Sequence, residues 1–426
     1  MKKIATKILS ILLSCSLVIG LSACNVSMSI DGLDTATDST GNDSSGFDST
    51  EDGSGTTDLT PGGDDTPVDS GTPDDSGSPG GSDTPGDSGD ASNDGGSSSG
   101  GDDTPDEKMD DLSIHFLELG NKYTGDCTYI KAGDTDILID AGSRKDSAAT
   151  ISSYIDDYCT DGVLEYVIAT HAHQDHIAGF VGNNNQGIFD LYRVGTLIDF
   201  PKSDSTSQIY GNYKTKRTAL INKGTKHYTA LEWWKEEKGL TRSLEIADGI
   251  TMNVLYQKYY ETSSSEENNY SVCVMLSRGE DHYLFTGDLE KAGEESLVAN
   301  NVLPKVKLYK AGHHGSKTSS NTALMSVIQP EIVCVCCCAG SSEFNAAPLN
   351  TFPTQDFINR VAPYTDKIYV TSLSLDYAND RTVSMNGNIV VSAKGEQVTV
   401  NCSNNNTILK ETEWFKVNRT WPLGGV

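Results

Sequence analysis

Thr170-His-Ala-His-Gln-Asp-His-Ile-Ala-Gly179 (THAHQDHIAG) places three histidines and an aspartate within six residues, directly after the apolar run EYVIA. The whole chain has eight histidines, so their concentration here needs a chemical reason. A strand ending at Thr170 releases the chain into a loop where His171 and His173 turn one way while Asp175 and His176 face a second point. Imidazole nitrogens and a carboxylate suit zinc, with manganese or iron as alternatives. One loop can therefore serve two metal positions.

Two further stretches match this setting. HYLFTGDLE puts Asp288 just past a strand and Gly287, where a carboxylate can bridge two cations and the glycine permits close backbone approach. VKLYKAGHHGSKTSS does the same with His313 and His314 after another strand. Five of the eight histidines fall in THAHQDH and KAGHHGSKTSS. Of the others, His115 reads as a strand residue in SIHFLEL, His282 as a hairpin-turn residue and His227 as part of a polar insertion.

From Leu112 onward, short β-rich runs alternate with turn residues and amphipathic helices. Strands are expected at SIHFLEL, CTYIK, DILID, EYVIAT, TMNVLY, SVCVML, HYLFTG, VKLYKAG, EIVCVCC and KIYVTS. Helices fit near 145–158, 289–299, 319–328 and 354–362. Residues 381–401 read as a small β-meander with Asn-Gly and Lys-Gly turns. Strands mixed with helices throughout specify one layered α/β domain over 112–426, with an insertion at about 200–247.

THAHQDH, TGDLE and KAGHHGSKTSS together resemble the metallo-β-lactamase superfamily, and within it the extracytoplasmic domain of ComEC-type DNA-uptake proteins and their stand-alone relatives. FLELG, Gly125-Asp126 and ILIDAG resemble the family's first hairpin, with an insertion before the Gly-Asp pair. The likeness runs from about Leu112 to Val400. It implies a four-layer αββα sandwich with two divalent metals at one edge, zinc or alternatively manganese. His171 and His173 would hold metal one, Asp175, His176 and His313 metal two, and Asp288 would bridge them. His314 would contact the inner ligands or the leaving group, and Asp140 would orient ligands from behind. Asp175, Asp288 and His314 are the residues expected to act in catalysis.

The chain departs from the family pattern twice. Asn268, Asn269 and Ser271 stand where most relatives place another histidine on metal one, which leaves that metal weak or completed by water. Phe352-Pro353 replaces a His-Pro pair, removing a histidine contact to substrate.

The chemistry implied is in-line attack on phosphorus by an activated water, with His314 or Lys317 stabilising oxygen charge. The expected activity is that of a phosphodiesterase or nuclease acting on a phosphodiester-containing polymer or small substrate, nucleic acid among them. The alternatives are an esterase for cell-wall teichoic acid or phosphocholine, and a metal-free polyanion-binding protein. The insertion holds Lys202, Lys214, Lys216, Arg217, Lys223 and Lys226 against Asp204, either a landing strip for a polyanion or a solvated loop. Trp233 and Trp234 follow; adjacent helical residues face apart, so at least one belongs to the core.

Residues 1–24 carry Lys2, Lys3 and Lys7 ahead of a short apolar stretch, the pattern of an export signal. Its end, Leu21-Ser22-Ala23-Cys24, resembles a lipobox, implying lipid on Cys24 and a membrane-anchored monomer on the extracytoplasmic side. Residues 25–111 hold 23 acidic residues and one lysine among Gly, Ser, Thr and Pro, so most of the formal charge of −28 lies here. Such a segment has nothing to bury and reads as a disordered acidic tether. The low overall pI therefore says little about the catalytic domain. VCVCCCAG (333–340) lacks metal-ligand spacing and reads as a buried central strand with Cys334, Cys336 and Cys338 on one face.

Overall fold

The computed structural model describes residues 109–426. The signal segment 1–24 and the tether up to residue 108 lie outside the described residues. The chain first lays down β1 (Leu112–Phe116), β2 (Thr128–Ala132), β3 (Thr135–Ile139), β4 (Val163–Ile168), β5 (Arg193–Asp199) and β6 (Lys226–Thr229). It continues with β7 (Ser243–Ala247), β8 (Ile250–Leu255), β9 (Cys273–Arg278), β10 (Asp281–Phe285), β11 (Leu308–Lys310), β12 (Ile332–Ala339), β13 (Ile368–Asp376) and β14 (Arg381–Ser384). The hairpin β15 (Ile389–Lys394) and β16 (Gln397–Cys402) follows. Two eight-stranded sheets result, ordered β16-β15-β1-β2-β3-β4-β5-β6 and β14-β13-β12-β11-β10-β9-β8-β7.

Period-two alternation divides the second sheet between two cores. Val274, Leu276, Phe285, Cys334 and Cys336 join the cluster shared with the first sheet. Their neighbours Cys273, Met275, Leu284, Val335 and Cys337 pack with α6 (Lys291–Asn300), α7 (Thr322–Ile328) and α8 (Gln355–Val361). The first sheet is covered in turn by α1 (Ser147–Ile155), α2 (Gln174–Val181), α3 (Ile188–Leu191) and α4 (Gln208–Asn222). The layering is αββα. All eight residues of β12 are buried, as a central strand with parallel neighbours on both sides requires. Its thiols, like every other cysteine among the described residues, are unpaired.

The insertion and the tail are parts of the sandwich. Residues 200–247 supply α4, β6, α5 (Ala230–Trp234) and β7, so that β6 and β7 become the edge strands of the two sheets. Residues 381–401 divide between the sheets: β14 pairs with β13, and β15–β16 pairs with β1.

Strands β3 to β6 run parallel, as do β10 to β13, and the loops leaving their C-terminal ends meet at one edge. Phe116 stacks on Phe285 at 6.5 Å between ring centroids and joins the sheets near that edge. Both rings are buried. Phe116→Ala is expected to lower unfolding free energy by about 3–5 kcal/mol in a denaturant melt; a loss below about 1 kcal/mol would mean the sheets can close over the gap.

Candidate metal centre

The parallel strand ends bring the sequence motifs together. After β4, Thr170 and His171 leave the sheet, His173 caps α2, and Asp175 sits in its first turn, where the helix N-terminus favours a carboxylate. Gly179 lets α2 press on the loop after β3: its N–H donates to Ala141 O at 2.8 Å, and an added Cβ would lie 2.0 Å from that oxygen. That contact fixes Asp140, at the end of β3, beside His176. Asp288 follows β10, and His313 and His314 follow β11.

Two histidines are held from behind. His176 Nδ1 donates to Asp140 Oδ2 at 2.7 Å, and its Nε2 lies 3.1 Å from Asp288 Oδ2. His314 Nδ1 donates to Cys336 O at 2.9 Å and lies 3.1 Å from Asp126 Oδ1. Its Nε2 is 3.3 Å from both Asp175 Oδ2 and Asp288 Oδ2. Asp126, His176, Asp288 and His314 each offer a buried ligand atom within 4.8 Å of the others. His171 Nε2 and His173 Nδ1 stand 3.0 Å apart. The His171 ring centroid is 4.2 Å from that of His176.

His313 occupies the rim. Its Nε2 is 4.0 Å from Asp288 Oδ2, its Nδ1 bonds Thr318 Oγ1 at 2.9 Å, and Phe352 packs against both His313 and His314. Of the sequence-derived ligands, His171, His173, Asp175, His176 and Asp288 converge with His314, and His313 stands further out. Asn268, Asn269 and Ser271 bond protein partners: Asn268 donates to Glu290, Asn269 to Ser264, and Ser271 Oγ accepts from the Asp288 N–H.

Sequence reasoning did not assign Asp126 and Lys310 to the site. Lys310 closes β11 fully buried, in a close ion pair with Asp126. The readable signal was a lysine in an apolar strand directly before the histidine pair.

The electrostatics are those of a cation trap. Burial opposes ionisation of Asp288 and Asp175, yet surrounding imidazoles hold both well below the usual carboxylate range. Burial would likewise neutralise His176 and His314, but Asp288 with Asp140 raises the first, and Asp288 with Asp126 raises the second. His171 goes down, through burial first and then its histidine neighbours. Burial takes His313 down to about 4. Asp288 Oδ1 and His314 Nε2 are buried without a well-formed hydrogen bond. Such atoms are costly unless a ligand engages them, so the donor set fits a divalent cation.

The family model for the metallo-β-lactamase superfamily matches residues 120–206, which hold Asp126, Asp140 and the whole THAHQDH motif. That stretch matches the metallo-β-lactamase superfamily, and the αββα layering is the fold of that superfamily. Proteins of this superfamily are generally metal-dependent hydrolases that bind divalent metals, typically two. Among curated relatives, ComE operon protein 3 of Bacillus subtilis is 29% identical over 170 residues, covering 39% of this chain and 19% of that protein. Recombination protein 2 of Haemophilus influenzae is 28% identical over 265 residues, 61% of this chain and 28% of that protein. Competence protein ComA of Neisseria gonorrhoeae is 33% identical over 130 residues, covering 30% and 17%. The chain thus spans less than a third of the length of these ComEC-type relatives. Among solved structures, the metallo-β-lactamase fold protein YhfI of Bacillus subtilis aligns with 62% of this chain and 97% of its own, at 11% identity and a TM-score of 0.36.

The candidate polyanion strip is partly neutralised. Lys216 pairs with Asp190 at 2.7 Å and Arg217 with buried Asp199 at 2.6 Å, while Lys214, Lys223 and Lys226 remain exposed. Trp233 is core, and Trp234 lies against Tyr256 with Arg242 over its ring. Among the described residues no helix is long and apolar enough to cross a membrane.

Asp140→Asn retains an acceptor for the Thr170 N–H but removes the anion behind His176. Metal affinity is expected to fall about 10- to 100-fold by equilibrium dialysis; an unchanged affinity would show that His176 needs no such support.

Proposed function

We propose that this protein is a metal-dependent phosphodiester hydrolase, with nucleic acid as its leading substrate class, anchored outside the cytoplasm through Cys24. The observation that carries the metal reading is the convergence of Asp175, Asp288 and the two Nε2 atoms of His176 and His314, with buried atoms left for a ligand. Asp175, His176, Asp288 and His314 would hold one cation, zinc or manganese; His171, His173 and Asp288 would hold the other. When bound, such cations supply Lewis-acid stabilisation of developing oxygen charge and let water act as nucleophile near neutral pH.

The protein's own groups set the geometry. Asp140 and Asp126 fix the two inner imidazoles so that Nε2, and not Nδ1, faces the reacting centre. Asp288 would be the anion that the two positions share. His313 stands at the rim, where its neutral imidazole would contact the substrate, because burial places His314 among the carboxylates instead. A polar cleft of about 590 Å³ opens beside Glu290, with Ser263, Ser265, Lys291, Lys317 and Thr318 along it. Glu266 and Glu295 also line it, so the cation positions rather than this cleft favour a phosphodiester over an apolar acyl substrate. The names of the relatives, for competence and recombination, point the same way. A choline cage from the tryptophans finds no support, since Trp233 is buried and Trp234 is already covered.

Asp288→Asn is expected to reduce hydrolysis of bis-p-nitrophenyl phosphate and of single-stranded DNA by at least about 100-fold with the melting temperature little changed. Wild-type turnover by this variant would remove Asp288 from the shared position. Cys24→Ala is expected to move the protein from the membrane fraction to the medium with hydrolysis retained; membrane retention would mean the first segment anchors the chain without lipid.

A further inference from the structure

We infer that the two cation positions are unequal: the Asp175, His176, Asp288 and His314 position takes one divalent cation tightly by itself, and the His171 and His173 position fills only weakly until a substrate phosphate supplies the missing anionic ligands. This inference rests on the metallohydrolase reading above.

The inner position is preorganised. Two carboxylates and two imidazoles converge there, and each imidazole has its Nδ1 fixed against a buried anion, Asp140 for His176 and Asp126 for His314. Asp126 is itself locked by Lys310. A carboxylate behind a ligating imidazole orients the ring and raises its basicity. A cation entering this position meets donors that need little rearrangement and anions already desolvated.

The outer position lacks each of these features. His171 Nδ1 faces the Thr170 hydroxyl at 3.1 Å and Ser271 Oγ at 3.5 Å, so no carboxylate stands directly behind it. The Thr170 proton goes to Asp140 at 2.7 Å, so that anion reaches His171 only through a neutral hydroxyl. His173 is half-buried at the rim. Among the polar residues standing in sequence where a further ligand is expected, Asn269 bonds Ser264 and the Glu290 N–H, Ser271 Oγ accepts from the Asp288 backbone, and Asn268 donates to Glu290 while its Oδ1 is buried without a partner. Two neutral imidazoles and a share of Asp288 make an incomplete shell for a divalent ion that takes four or more donors. Phosphate oxygens carry the charge and the donors this position lacks. Binding of the second cation and of substrate are then mutually reinforcing.

The test uses the full-length chain, stripped with a chelator and titrated with Mn²⁺ by calorimetry, with metal content measured after desalting. One equivalent should survive desalting and a second should bind at least about 10-fold more weakly, and dimethyl phosphate should strengthen the second step by about 10-fold while leaving the first unchanged. His314→Gln should abolish the retained equivalent, whereas His171→Gln with His173→Gln should keep it and remove the weak step. Two retained equivalents, loss of the retained metal in the His171/His173 variant, or a second step indifferent to dimethyl phosphate would each overturn the inference while leaving a metallohydrolase. No metal bound by the native chain would overturn the metallohydrolase reading itself. The stoichiometry of the native chain decides the question even where His314→Gln fails to fold.

Discussion

Four aspartates, Asp126, Asp140, Asp175 and Asp288, are drawn together at one edge of the sandwich, and the first, second and fourth are almost fully removed from water. Carboxylates so placed repel one another and lose their hydration, an arrangement that persists only with compensating positive charge. Lys310 supplies one fixed cation against Asp126. Protons on His176 and His314 can supply others, and divalent ions do so with more charge at the same point. Each later feature of the site serves to hold this excess of negative charge in place and to aim it.

The aiming is done by backbone in uncommon conformations. Asp140, His313 and His314 all adopt left-handed φ angles, 58°, 47° and 54°. Such positions cost about 1–3 kcal/mol each and survive where the surroundings over-determine them. Half-buried Arg360 and buried Arg419 help to do this. Arg360 donates to the carbonyls of Lys317, Ser319 and Ser320, bracing the loop that carries the histidine pair. Arg419 donates to those of Pro348, Thr351 and Pro353, bracing the loop that lays Phe352 over the histidines. The rigid sheet ends and these braces preset the distances between ligands before any cation arrives.

Much of this was legible in the residue pattern. The ten expected strands all form, because each is a short apolar run between turn residues, and the THAHQDH, TGDLE and HHGS stretches meet as their post-strand settings imply. Strand β5 was not read, since Gly195 interrupts RVGTLID. Helix α4 was read only as a basic insertion, because Ile209, Tyr213 and Leu220 are its only buried residues and its polar face includes Gly211. Which of His313 and His314 turns inward is a matter of two consecutive left-handed residues, which sequence spacing does not encode. Asp126 and Lys310 were visible as residues but not as partners, because 184 positions separate them and only the pairing of distant strand ends brings them together.

The proposed centre has the inner imidazoles and Asp288 enclosing a cation. Anomalous diffraction from crystals grown with Mn²⁺ measures this directly. A strong peak is expected bounded by Asp175, His176, Asp288 and His314, with a weaker one beside His171 and His173 in the absence of phosphate. Density without any peak at the inner position, with the carboxylates satisfied by Lys310 and protonated histidines alone, would contradict it.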